Sequence, residues 1–170
     1  MKSATLAAAL IASAMAATTA NAHVTIEQRE ATIGGPVKLT FRVGHGCGVS
    51  PTVKVRVRVP EGVIAVKPMP KTGWTIETSK GAYEKTYSYF HGAKLSEGVK
   101  EVAWSGNLPD AYYDEFVISG FLGEGAFKPG TTLYFPVVQE CESGVHRWIE
   151  IPKPGEHPNE PAPGIKLLAK

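Results

Sequence analysis

The sequence predicts an all-β protein, an antiparallel β-sandwich of immunoglobulin-like or cupredoxin-like type, with a closed barrel as the alternative. Apolar and polar residues alternate with a period of two in short segments throughout the chain. Turn-forming stretches such as Gly34-Gly35-Pro36 and Lys128-Pro129-Gly130 separate these segments. No segment of convincing helical pattern follows residue 22. Short strands at this spacing are typical of two-layer β proteins.

The clearest strand covers residues 53–59, where valine alternates with Lys54, Arg56 and Arg58. One face of this strand is therefore apolar and the other faces water. Similar alternation predicts further strands along the chain, about ten in all. In order, the other segments are 24–28, 37–43, 63–67, 74–78, 86–90, 99–104, 115–121, 132–138 and 145–151.

Residues 1–22 have the pattern of a secretory signal peptide. Lys2 is followed by an uncharged, Ala-rich stretch that ends in Ala20-Asn21-Ala22, a small-x-small motif of the kind signal peptidases cleave. The apolar core is short for a membrane span, which disfavours the alternative of a retained helix. We therefore expect a periplasmic or secreted protein whose mature chain begins at His23.

The rest of the chain divides by composition into two parts. Residues 23–151 carry the strand pattern and form the predicted sandwich domain. Residues 152–170 contain recurrent prolines and are predicted to form an extended tail, because proline cannot donate ladder hydrogen bonds. The apolar residues at 165–168 are expected to dock on the body of the domain.

Charge and hydropathy exclude two classes of partner. The formal net charge is only +2, and the basic residues alternate with apolar ones instead of clustering, so a nucleic-acid partner is not expected. No segment after residue 22 approaches the roughly 20 continuous apolar residues of a membrane helix. We expect no stable membrane span in the mature chain.

The two cysteines, Cys47 and Cys141, predict a disulfide, because an oxidising compartment favours pairing of thiols. Closing so long a loop contributes about 4–5 kcal/mol in the chain-entropy model. The alternative is a pair of thiolate ligands for Cu(I) or zinc. That alternative needs further ligands nearby, and neither cysteine lies in a CxxC motif.

A histidine at a free N-terminus is a candidate copper ligand. The α-amine of His23 and its ring Nδ1 can close a six-membered chelate on one ion. Cu(II) prefers tetragonal nitrogen and oxygen donors and stands at the top of the divalent affinity order. An α-amine pKa near ~8 also allows a metal to displace the proton.

Other candidates lie near the cysteines. His45 precedes Cys47, and His146 and Trp148, two residues apart, share one face of a strand after Cys141. Each also has an ordinary interpretation, as a turn histidine, an exposed strand residue and a core aromatic. Candidate carboxylates are Glu27, on the strand face of His23, and the two that flank Cys141, namely Glu140 and Glu142.

The sequence resembles the YcnI-like family of exported bacterial copper-binding domains over nearly the whole mature chain. The segments that carry the resemblance are Ala22 with His23-Val24-Thr25-Ile26, His45-Gly46-Cys47 with Ser50-Pro51-Thr52, Val57-Arg58-Val59-Pro60-Glu61-Gly62-Val63, Lys67-Pro68, Gly73-Trp74, Trp104-Ser105-Gly106, Leu133-Tyr134-Phe135-Pro136-Val137-Val138-Gln139-Glu140-Cys141, Arg147-Trp148-Ile149-Glu150-Ile151-Pro152 and Pro161-Ala162-Pro163-Gly164.

The resemblance implies a β-sandwich that binds Cu(II) through the amine and ring of its first histidine, with a carboxylate and a tryptophan nearby. His23 and Trp148 match that histidine and tryptophan, and Glu27 is the first choice for the carboxylate. It also implies a role in periplasmic copper handling, with a PCuAC-type copper chaperone as the expected partner.

Three classes of function remain after the sequence alone. The first is a Cu(II)-binding protein without turnover, favoured because GxSxG, HExxH and glycine-rich phosphate motifs are absent from the sequence. The second is an oxidative copper enzyme of polysaccharide-monooxygenase type, in which His45 or His146 would supply a second imidazole. The third is a structural immunoglobulin-like module in which His23 has no role.

Overall fold

The computed structural model describes residues 23–170, so the predicted signal peptide lies outside the described residues. These residues form twelve strands and one short 3₁₀ turn at Phe90–Gly92. The strands are β1 Thr25–Ile26, β2 Glu30–Thr32, β3 Pro36–Val43, β4 Thr52–Arg58, β5 Val63–Pro68, β6 Thr75–Ser88, β7 Lys94–Leu108, β8 Asp114–Leu122, β9 Thr132–Tyr134, β10 Val137–Cys141, β11 Val145–Trp148 and β12 Gly164–Leu168.

The strands form three sheets. A four-stranded sheet has the order β1-β3-β8-β5, a five-stranded sheet the order β11-β10-β4-β7-β6, and a three-stranded sheet the order β2-β12-β9. Every strand pair is antiparallel except β2 with β12. The predicted all-β, antiparallel class is therefore confirmed.

One apolar core joins the two larger sheets. Alternation in β3 turns Leu39 and Phe41 inward, and both are fully buried. Aromatic pairs cross the interior, with ring centroids 5.7 Å apart for Phe41 and Phe135 and 5.4 Å apart for Trp104 and Phe116. Across residues 23–170, we find no helix with the length and apolar character needed to cross a membrane.

Two predicted strand boundaries are wrong. The predicted segments 74–78 and 86–90 fall for the most part on one long strand, β6, because both parts pair with β7 and register shifts accommodate the irregularities between them. Residues 132–138 instead form two strands in different sheets. Pro136 lies at the break, where its missing N–H prevents continuous pairing and the chain passes from β9 to β10.

The strands β2 and β12 are absent from the sequence-based prediction. β12 lies between β2 and β9, and its Ile165 and Leu167 are buried. This segment follows the last proline of the tail, Pro163, so its backbone N–H groups are available for pairing. The chain between Trp148 and β12 is thereby held against the body at both of its ends.

Candidate metal centre

Three histidine rings surround the buried indole of Trp148 at the end of β11. The ring centroid of His23 lies 5.5 Å from that of Trp148 in an edge-on contact. His146 lies 4.9 Å away with its ring tilted by 31°. His45 lies 6.4 Å away, also edge-on. The three candidate histidines and Trp148 are thus brought together, although they come from three distant parts of the sequence.

The position of His23 follows from the alternation at the start of the first sheet. Val24 is buried in the core, and the following residue, Thr25, pairs with Arg42 of β3. Because neighbouring residues in an extended chain point to opposite faces, His23 points outward. Its side chain is half-buried against Trp148.

A disulfide holds the loop of His45 against β10. Cys47 and Cys141 are bonded, with their Cα atoms 6.0 Å apart and a sequence separation of 94. The predicted disulfide is confirmed, and the alternative of thiolate ligands is wrong because both sulfur atoms are used in the bond. His45, two residues before Cys47, is fixed beside the strand that pairs with β11.

Gly46 fixes the same loop through its backbone. Its N–H donates a 2.8 Å hydrogen bond to Oδ1 of Asp110. A Cβ atom at this position would lie 2.0 Å from the carbonyl oxygen of Ser50, so a side chain cannot be accommodated without moving the backbone. The ring Nδ1 of His45 faces the Gly46 carbonyl oxygen, which can only accept a hydrogen bond, so Nδ1 carries the proton.

His146 is held by a carboxylate from the proline-rich segment. Nδ1 of His146 lies 2.7 Å from Oε1 of Glu160, and Oε2 of Glu160 accepts a 2.9 Å hydrogen bond from the backbone N–H of Arg147. Burial acts to raise the pKa of Glu160, but the hydrogen bonds from His146 and Arg147 outweigh it and place the pKa below its usual value. Glu160 is therefore ionised at neutral pH and holds the proton of His146 on Nδ1.

A buried amide supports the cluster from below. Gln139 is 1% exposed, and its oxygen accepts a 3.0 Å hydrogen bond from the indole N–H of Trp148. Its amide nitrogen donates to the carbonyl oxygen of His45 at 2.6 Å and to the hydroxyl of Thr52 at 2.8 Å. One side chain thus connects the His45 loop, β4 and β11.

The candidate carboxylates lie elsewhere. Glu27 is exposed and lines an open cleft of about 540 Å³ that His23 also lines, but it is four residues along the chain, about 13 Å between Cα atoms if fully extended. Glu140 is paired with Arg56 at 2.9 Å on the other face of β10 from Gln139. Glu142 is exposed in the turn after β10. Among residues 23–170, no three His, Cys, Asp or Glu side chains converge on one point that could hold a metal ion.

Sequence reasoning missed Gln139 and Glu160. A signal existed for Gln139, because the alternation in β10 places it on the same inward face as Val137 and Cys141, where a polar residue needs partners. No local pattern indicates Glu160. Its role depends on how the proline-rich segment folds back onto β11.

Comparison with known proteins gives a family and a fold. The model of a family described as a domain of unknown function, DUF1775, matches residues 23–167. The crystal structure of an uncharacterised protein from Nocardia farcinica, described as having an immunoglobulin-like fold, aligns with 25% identity and a TM-score of 0.63 over 86% of this chain and 98% of that chain. No curated protein matches. The fold is therefore immunoglobulin-like, and neither match indicates a catalytic family.

Proposed function

We propose that this chain, which belongs to the DUF1775 family, is an exported Cu(II)-binding protein of the YcnI-like type that sequesters copper or delivers it to another protein. Copper is its cargo, held by the α-amine and Nδ1 of His23 after cleavage behind Ala22. The protein has no turnover of its own. It works in the periplasm or outside the cell, and a PCuAC-type copper chaperone is the expected exchange partner.

The observation that carries this proposal is the contact between His23 and Trp148. The two rings meet edge-on at 5.5 Å, and the indole cannot turn away because Gln139 holds its N–H. A histidine that merely happened to follow a cleavage site would have no reason to lie against a fixed, buried tryptophan. The indole packs against one side of the His23 side chain, and His23 also lines the open cleft.

The donors fit Cu(II) without a cluster of side chains. The chelate supplies two nitrogen ligands from one residue, and a bound ion can complete a tetragonal plane with water or a carboxylate. Glu27 is the carboxylate that shares the cleft with His23. The α-amine pKa near ~8 lets copper displace the proton at neutral pH.

Electron spin resonance of Cu(II) bound to the processed protein tests the proposal. We expect a tetragonal spectrum with hyperfine coupling to nitrogen from both the amine and the imidazole. Substitution His23→Ala should abolish this spectrum, whereas His157→Ala, at an exposed position in the proline-rich segment, should leave it unchanged. Equal Cu(II) affinity and identical spectra for the wild type and the His23→Ala variant would contradict the His23 chelate.

A specific observation favours one competing function. His45 and His146 both lie beside Trp148, so a second imidazole is available, as an oxidative copper enzyme of polysaccharide-monooxygenase type requires. Incubation of the copper-loaded protein with a polysaccharide and a reductant separates the two functions. Release of oxidised oligosaccharides would show that the protein is a copper enzyme. An unchanged polysaccharide would support the binding protein.

A further inference from the structure

His45 and His146 lie at the separation expected of two ligands of one ion. Their ring centroids are 5.8 Å apart. With metal–nitrogen bonds of about 2 Å, two imidazoles on one ion have centroids about 5–6.5 Å apart for ligand angles between tetrahedral and linear. The ring of His23, by comparison, contacts Trp148 at 5.5 Å. The predicted chelate takes both of its donors from His23, so the pair supplies a different set of ligands.

Glu160 makes His146 suitable as a ligand. The carboxylate accepts the Nδ1 proton, so the lone pair of the neutral ring lies on Nε2. A carboxylate behind a ligating histidine fixes the orientation of the ring and raises its basicity, an arrangement that recurs in metal sites. Glu160 is itself fixed by the backbone N–H of Arg147, and its own N–H donates to Glu150.

The partner histidine is held as firmly. The disulfide and the bond from Gly46 to Asp110 fix the His45 loop, and Gln139 binds the carbonyl oxygen of His45 itself. Nδ1 of His45 faces a backbone carbonyl, so this ring also carries its lone pair on Nε2. Two oriented imidazoles lose little conformational entropy when they bind an ion.

We infer that His45 and His146 form a second metal-binding pair for a borderline transition ion such as Zn(II) or Cu(II), with Glu160 as the positioning residue behind His146. Imidazole is a suitable donor for both ions. Two protein ligands leave the other coordination positions to water or to a donor from an exchange partner. An open position of this kind suits transfer of an ion between proteins.

The experiment first blocks the His23 chelate and then examines metal binding by His45 and His146. A form with a long, histidine-free tag ahead of His23 has an amide in place of the α-amine. Metal binding by this form therefore does not depend on the proposed His23 chelate. This form is titrated with Zn(II) while the imidazole nitrogen resonances are recorded. We expect one equivalent to bind, with the Nε2 resonances of His45 and His146 shifted and those of His157 unchanged.

Variants of the tagged form test each role. His45→Ala and His146→Ala should each lower Zn(II) affinity at least tenfold, and His157→Ala should not. Glu160→Gln should cost about 10–100-fold, the usual effect of losing a carboxylate behind a ligand. Glu156→Gln, in the same segment but paired only with Lys153 in the described structure, is the matched control.

Unshifted imidazole resonances in the wild type would overturn the inference, and this measurement holds even if an alanine variant does not fold. A second result would also overturn it: the processed protein binding a single Cu(II) ion that shows nitrogen coupling from both His23 and His146. Two equivalents of Cu(II) in the processed protein and one in the tagged form are expected.

Discussion

The indole N–H of Trp148 and the amide oxygen of Gln139 are joined by a 3.0 Å hydrogen bond in the interior, where both side chains are at most 2% exposed. The amide group of Gln139 donates two hydrogen bonds, to the His45 carbonyl and the Thr52 hydroxyl, and accepts one from the indole. The orientation of the indole that meets three histidine rings is therefore determined by a single buried side chain.

Substitution Gln139→Leu should lower both stability and metal affinity. Leucine has nearly the same size but removes the hydrogen bonds that the amide makes with the indole N–H, the Thr52 hydroxyl and the His45 carbonyl. Each buried group left unsatisfied costs about 1–3 kcal/mol, and some of this is relieved by rearrangement. We expect the free energy of unfolding to fall by about 3 kcal/mol, as measured by urea denaturation.

The matched control is Gln28→Leu. Gln28 accepts one hydrogen bond, from the backbone N–H of Thr40, at a partly exposed position. The same substitution there should lower the free energy of unfolding by only about 1 kcal/mol. Equal losses at the two positions would show that the buried amide has no special part in holding the cluster.

Blocking the α-amine of His23 should abolish the proposed chelate. A long histidine-free tag converts the amine to an amide, whose nitrogen is a much poorer metal ligand because its lone pair is delocalised, so the Cu(II) affinity measured by calorimetry should fall by at least tenfold. The tag must be long, because one or two extra residues would place a new amine near the histidine and create another chelate. Equal affinity of tagged and processed forms would contradict the chelate.

Much of the fold was predictable because alternation is a local signal. The valines of β4 and the apolar residues of β3 both fall on inward faces, as the pattern indicates. The three-stranded sheet was not predictable in this way. β2 has only three residues, and β12 follows a proline-rich segment whose composition indicates an extended tail.

The sequence indicated the histidines of the candidate site but not the residues that hold them in place. His23 stands out because it follows the predicted cleavage site, and His45 and His146 stand out because the disulfide links their neighbourhoods. Glu160 could not be found, since its contact with His146 depends on the path of the chain between two sheets. The choice of Glu27 rests on a shared strand face, which fixes direction but not distance.

Removal of the disulfide should destabilise the protein and loosen the His45 loop. In the chain-entropy model, closure of this loop contributes about 4–5 kcal/mol. We expect the Cys47→Ala/Cys141→Ala double variant to lose about that much in urea denaturation. Wild-type protein under reducing conditions is the control and should lose a similar amount. A loss below about 1 kcal/mol would mean that native contacts alone hold the loop in place.

Tyr87 should make the protein sensitive to alkaline pH. Burial raises its pKa to about 12, helped by the hydrogen bond that its hydroxyl donates to Glu61 at 2.8 Å. An unfolded tyrosine has a pKa near ~10. Because the folded value is the higher one, the folded state binds the proton more tightly, and this stabilisation is complete below pH ~10 and decreases as pH rises toward about 12.

Substitution Tyr87→Phe should therefore reduce the loss of stability between pH ~10 and about 12, measured by urea denaturation at several pH values. Part of the dependence should remain, because burial also raises the pKa of Tyr83. Tyr112→Phe, at a residue that is 66% exposed, should leave the alkaline profile unchanged. If the Tyr87→Phe profile ran parallel to that of the wild type throughout, the bond to Glu61 would not be the source of the sensitivity. Glu61 also accepts a 3.0 Å hydrogen bond from the backbone N–H of Glu84, a donor that does not titrate, so it keeps a partner in the variant.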